Sequence, residues 1–154
     1  MSNSTTVPAT EQFTIRAGAT FRELLQRSTV DYETQYINGV LCKMDGTPVP
    51  DSDIVPEDYT DCTAILELRN ADTNALLATL TTADNTITFV ESEPSKLDTI
   101  VLYMSPTATG ALTAFASAVG QLELRRPYGD IERQYELTFS YSAQTTAAEP
   151  PASP

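Results

Sequence analysis

The residues able to do chemistry are few, and their spacing assembles none of the familiar reactive groupings. No histidine occurs in the 154 residues. That removes the commonest general base and the usual partner of a serine or cysteine nucleophile. Cys42 and Cys62 are the only cysteines, and no CxxC motif exists. Zinc centres need clustered Cys and His ligands, so a zinc site is excluded. Lys43 is the one cation beside Cys42, and Cys62 opens an alternating segment. Both read as buried, reduced thiols, with one intramolecular pairing open to them. The 6 glycines are scattered, so no phosphate-cradling loop is formed.

Carboxylates are abundant, with 21 Asp and Glu against 9 Lys and Arg. Glu91 with Glu93, and Asp51 with Asp53, are pairs of the type a glycoside hydrolase uses. They fall in segments read as loops, with no aromatic platform beside them. Asp51, Asp53, Glu57, Asp58 and Asp61 are hard oxygen donors of the kind calcium takes. Their order does not follow the EF-hand loop, and we read them as a solvated acidic segment. Tyr32, Tyr36, Tyr59 and Tyr128 lie in loops or irregular strands, too thin a set to name a sugar site. We therefore expect a non-enzymatic chain with no catalytic, cofactor-binding or metal-binding residues.

These side chains must be positioned by strands, because the dominant period is two. From Ile131 to Ser142, Ile131, Arg133, Tyr135, Leu137, Phe139 and Tyr141 share one face, and Glu132, Gln134, Glu136, Thr138, Ser140 and Ser142 the other. Strict alternation marks a half-buried strand. Val119 to Arg125 alternates too, and Arg126-Pro127-Tyr128-Gly129-Asp130 joins the two runs as a hairpin turn. A second hairpin runs from Cys62 to Arg69 and from Ala75 to Thr82. It turns Ala64, Leu66 and Leu68, then Leu76, Ala78 and Leu80, inward. Thr86 to Val90 and Thr99 to Met104 add two strands. Phe13 and Ile15 begin another that Gly18 interrupts.

Ser105-Pro106 is an N-cap followed by proline at the first helical position. Ala108, Leu112, Phe115 and Val119 recur at helical spacing up to Gly120. With Gly110 inside, we expect a short helix acting as a lid on the core. Residues 29–58 read as an insertion-like loop holding one or two strands among Tyr32, Tyr36, Ile37, Val40 and Leu41. Residues 1–10 and 143–154 are small, polar and proline-bearing, and read as extended N- and C-terminal arms flanking a domain at 11–142. Seven or eight short strands point to an all-β, immunoglobulin-like antiparallel β-sandwich, one that lacks the core tryptophan of antibody domains.

The formal net charge is −12. Such a surface repels phosphate backbones and anionic lipid, so neither nucleic acid nor membrane is an expected partner. No apolar run approaches a membrane span, and the start has neither the basic nor the apolar region of a signal peptide.

With the strands placed, a resemblance emerges. It is carried by Phe13-Thr14-Ile15-Arg16-Ala17-Gly18-Ala19-Thr20-Phe21, Asp45-Gly46-Thr47-Pro48, Tyr59 to Arg69, and Asp72 to Thr82. Thr107 to Leu112, Leu122-Glu123-Leu124, the Gly129-Asp130 turn and Ile131-Glu132-Arg133 complete it. Over most of residues 11–142 the chain resembles the N-terminal domain of phage baseplate upper proteins and their short stand-alone relatives. Residues 29–58 depart from the compact pattern, and Pro-Glu-Asp-Tyr-Thr-Asp replaces the usual Asp-Leu-Thr-Gly-Tyr element. The resemblance implies a bacteriophage structural protein of the tail, neck or baseplate. Its implied partners are other virion proteins and copies of itself, and it would reside in the virion after assembly in the host cytoplasm. A capsid decoration protein and a carbohydrate- or receptor-binding module are the alternatives.

Overall fold

Alternation becomes strand almost everywhere it occurs. The computed structural model describes residues 8–92, 94 and 96–144. In chain order the strands are β1 (Ala9–Arg16), β2 (Phe21–Gln26), β3 (Ser28–Thr29), β4 (Thr34–Ile37), β5 (Val40–Lys43), β6 (Val55–Pro56), β7 (Thr63–Asn70), β8 (Leu76–Thr81), β9 (Ile87–Val90) and β10 (Thr99–Met104). A five-residue helix, α1 (Pro106–Gly110), precedes β11 (Ser117–Arg125) and β12 (Ile131–Ser142).

Two sheets carry the fold. The larger has the order β1-β12-β11-β7-β8 and the smaller β2-β10-β9. Both supply one core. Ile15, Leu66, Leu68, Leu80, Leu122, Leu124, Leu137 and Phe139 come from the first; Phe21, Leu25, Ile87, Ile100 and Leu102 come from the second. The chain is thus an all-β sandwich. Phe13, Phe21 and Phe139 meet at centroid distances of 6.0 to 6.1 Å. Such tilted and edge-on rings each add about 0.5–1.5 kcal/mol beyond the area they bury.

Several expectations need correction. The sandwich is not purely antiparallel: β1 runs parallel to β12, with Phe13 beside Phe139. The two strands are remote in sequence, so no tight turn forces them antiparallel. The arm expected at 1–10 begins later, since Ala9 and Thr10 already pair with Tyr135 and Glu136. The rest of that arm up to residue 7, and residues 145–154, lie outside the described residues.

Alternation also slips at two bulges. In β12, Leu122 pairs with Tyr135 and Glu123 with Arg133, so Gln134 is the extra residue. The phase therefore reverses before Tyr135. Ile131 and Arg133 face solvent, whereas Glu132 is half-buried and Gln134 buried. In β8, Leu68 pairs with Ala78 and Arg69 with Leu76. Leu77 is the extra residue there, so Leu76 faces out and Leu77 packs on the core. One inserted residue inverts the sides of everything beyond it.

The helical stripe was too long. α1 stops at Gly110, and Val119 and Gly120 belong to β11. Gly120 is where β11 and β7 approach closely: an added Cβ would lie 2.7 Å from Leu66 Cδ1 and 2.9 Å from the Glu67 carbonyl oxygen. The capping expectation holds, because the Ser105 hydroxyl accepts from the Ala108 amide at 3.1 Å. Buried Thr109 then links α1 to the first strand connection, accepting from the Gly18 amide at 3.1 Å and donating to the Ala19 carbonyl at 2.8 Å. Leu112 and Phe115 follow and close that end of the core. β2 was not anticipated at all, although Phe21 and Leu25 point in while Arg22 and Gln26 point out.

Candidate functional site

Residues 29–58 form a built projection rather than a loop. At its base Ser28 and Thr29 pair with Pro56 and Val55. The Glu57 amide donates to the Arg27 carbonyl at 2.8 Å, and the Tyr59 amide to the Leu97 carbonyl at 2.8 Å. The Arg27 guanidinium reaches the Gln134 carbonyl at 2.6 Å, tying the base to the bulge of β12.

Arg126 is the clasp. Its guanidinium donates twice to Glu132, at 3.0 and 3.1 Å, once to Glu57 at 2.7 Å and once to the Asp58 carbonyl at 2.9 Å. It also lies 5.9 Å from the centroid of the Tyr59 ring. The Arg126 side chain is only 12% exposed. Burial disfavours its charge, but Glu132 and Glu57 outweigh that and raise its pKa. The side chain thus fastens the hairpin turn after β11 to β12 and to the C-terminal part of the acidic segment. The β12 bulge makes this possible, because it turns Glu132 inward toward Arg126.

Beyond the clasp stands a hairpin of β4 and β5. Ile37 pairs with Val40 across Asn38 and Gly39, whose φ angles are 51° and 80°. Two consecutive positive values define the type I′ turn that suits the twist of a two-residue hairpin. Asp45 closes the next turn by accepting from both the Thr47 amide, at 2.9 Å, and the Thr47 hydroxyl, at 2.6 Å. Those contacts hold its carboxyl below the usual range. Gln35 braces the hairpin by donating to the Lys43 and Met44 carbonyls at 3.1 and 3.3 Å. Tyr32 lies under Lys43, 5.4 Å from centroid to Nζ, and its hydroxyl donates to Asp53 at 2.5 Å. That bond pushes the Tyr32 pKa up to about 12.

The hairpin turns apolar side chains outward. Tyr36 is 74% exposed, Met44 58% and Val40 49%, with Ile37 beside them. Among the described residues, 6 of the 13 large exposed hydrophobics fall between residues 32 and 55. Single exposed apolar residues need no explanation, but a cluster on one braced projection does.

The candidates raised from sequence are not brought together. Asp53 engages Tyr32, Glu57 engages Arg126, and Asp58 accepts from Thr60, which lowers its pKa. Asp61 sits at a left-handed turn with φ 61°. No group of three potential metal ligands occurs among the described residues. Glu93, the partner expected for Glu91, lies outside them. Cys42 and Cys62 are both buried and free, and burial pushes the Cys62 thiol up. Tyr59 was placed among loop tyrosines, but it is fully buried and stacks on Phe89 at 5.3 Å. The clasp and the Asn-Gly hairpin were both missed. The dipeptide Asn38-Gly39 between Tyr36-Ile37 and Val40-Leu41 was a usable signal for the second. Comparison with known proteins adds no name to this geometry: no family model matches the chain, and a search of curated proteins returns no match.

Proposed function

We propose that the chain is a non-catalytic docking module that works as a structural protein of a bacteriophage particle, in the tail, neck or baseplate. The observation that carries docking is the braced β4–β5 hairpin, whose apolar side chains stand exposed among the described residues. Function at such a surface comes from burying Tyr36, Ile37, Val40 and Met44 against a neighbour. Aromatic and Met anchors are the residues that dominate contacts of this kind.

The phage reading is supported by the residues that carry the resemblance to baseplate upper protein N-terminal domains. The strand order supports the immunoglobulin-like part of it. β7, β11 and β12 stand where strands C, F and G of such a domain stand, and β2, β10 and β9 where B, E and D stand. On this reading the partners are other virion proteins and copies of the chain, and its place is the virion, reached after assembly in the host cytoplasm.

The test is quantitative mass spectrometry of purified particles made from the genome that encodes the chain. A fixed ratio of this chain to the other structural proteins is expected. Its absence from the particles would overturn the virion reading.

A further inference from the structure

The larger sheet has one face on the core and one that no described element covers. That outer face is concave over β1, β12, β11 and β7, forming a trough of about 990 Å³. At one end Val119 pairs across to Arg69 and Thr138; at the other Ile65 pairs across to Glu123. Ile65 is 40% exposed and Val119 44%. Glu67 and Gln121 lie between these ends, with Glu136 in register beside Gln121.

The trough is lined by four carboxylates, Glu11, Glu67, Glu123 and Glu136, against one cation, Arg69. Arg69 is already engaged, by Glu67 at 3.2 Å and by the Asn74 carbonyl at 3.1 Å. Glu11, Glu123 and Glu136 make no ion pair among the described residues, and Arg133 opposite Glu123 does not reach it. The face is therefore acidic, with one exposed apolar residue toward each end, Val119 beside Arg69 and Ile65 beside Glu123. Four residues separate these two along the strands, a distance of about 13 Å at the rise of an extended chain.

We propose that this face docks an extended, basic segment of another protein, one that presents apolar, Lys or Arg, and apolar side chains at alternate positions on one side. Alternate residues of a strand share a face, so positions i, i+2 and i+4 span the same length. A second copy of this chain is the wrong occupant, because it brings a net charge of −12 to an acidic face. This surface is separate from the hairpin, and the inference stands without the virion reading.

The probe is a blocked nonapeptide with Val, Lys and Val at alternate central positions, titrated into the isotope-labelled full chain and followed by amide NMR. Shifts are expected at residues 65–69 and 119–123. The apparent Kd should rise about tenfold in Glu136→Lys or at raised salt, as loss of charge complementarity dictates. Val119→Ser should weaken binding without that salt dependence changing. Unshifted core amides in both variants establish that they fold. Equal shifts from the peptide with Glu in place of Lys, shifts at residues 34–44 instead, or no shifts at all would overturn the proposal.

Discussion

At the residue scale the fold turns on a few side chains whose partners are specific. Arg126 is the clearest. Replacing it with Met leaves Glu57 and Glu132 facing each other with their cation gone and both largely buried. Breaking a buried pair from one side costs far more than the pair itself contributes. Arg126→Met is expected to lose about 3 kcal/mol in urea unfolding. Tyr135 gives the opposite case. Its hydroxyl is buried and has no hydrogen-bond partner among the described residues. Tyr135→Phe should therefore stay within about 1 kcal/mol of the parent, because it removes no bond. Phe139→Ala, in the centre of the ring cluster, should cost ~3–5 kcal/mol by the same measurement. Phe139 was legible from alternation alone. Arg126 was not, since its partners Glu57 and Asp58 lie almost 70 residues away and nothing local marks the contact.

At the scale of elements the sequence is read well where alternation is unbroken and badly where it slips. β12 matches its expected span from Ile131 to Ser142, and β10 matches Thr99 to Met104. Faces of the strands read by alternation went wrong on the far sides of the two bulges, where Gln134 and Leu77 are the inserted residues. Alternation cannot show a bulge, because one extra residue looks like a change of side. Gly120 misled for a related reason. Glycine after a helical spacing reads as a stop, yet here it answers the approach of β7. Gly120→Ala is expected to cost about 1–3 kcal/mol by overpacking against Leu66 and the Glu67 carbonyl. The same change at a true helix end would be far milder. The hairpin of β4 and β5 was half legible. Its turn dipeptide was in view, but nothing in the sequence says that its apolar residues face outward.

At the scale of the whole molecule, charge and pH set the behaviour. No histidine is present to change charge between about pH 5 and 8, and burial pushes the Cys62 thiol up, away from that range. Melting temperature should be nearly flat across that range. Below it, Asp45, Asp58, Asp84 and Asp98 are all held under the usual carboxylate range. Bonds from Thr47, Thr60, Thr86 and Ser92 hold them there. A carboxyl lowered in the fold contributes stability that is complete above its unfolded pKa, about 4. That stability is lost as pH falls through the folded value. Calorimetry should show the melting temperature dropping below about pH 4, and Asp98→Asn should make that drop shallower. Neutralising the −12 charge acts in the other direction, so an unchanged or rising melting temperature would mean that repulsion outweighs these local bonds.

The central claim is that the braced hairpin meets a partner. Hydrogen exchange measured by mass spectrometry on the free protein and on intact particles tests it most directly. Slowed exchange at residues 34–44 in the particle, with β10 amides at residues 100 and 102 in the smaller sheet unchanged, is the predicted result. Equal exchange of residues 34–44 in both states would contradict it.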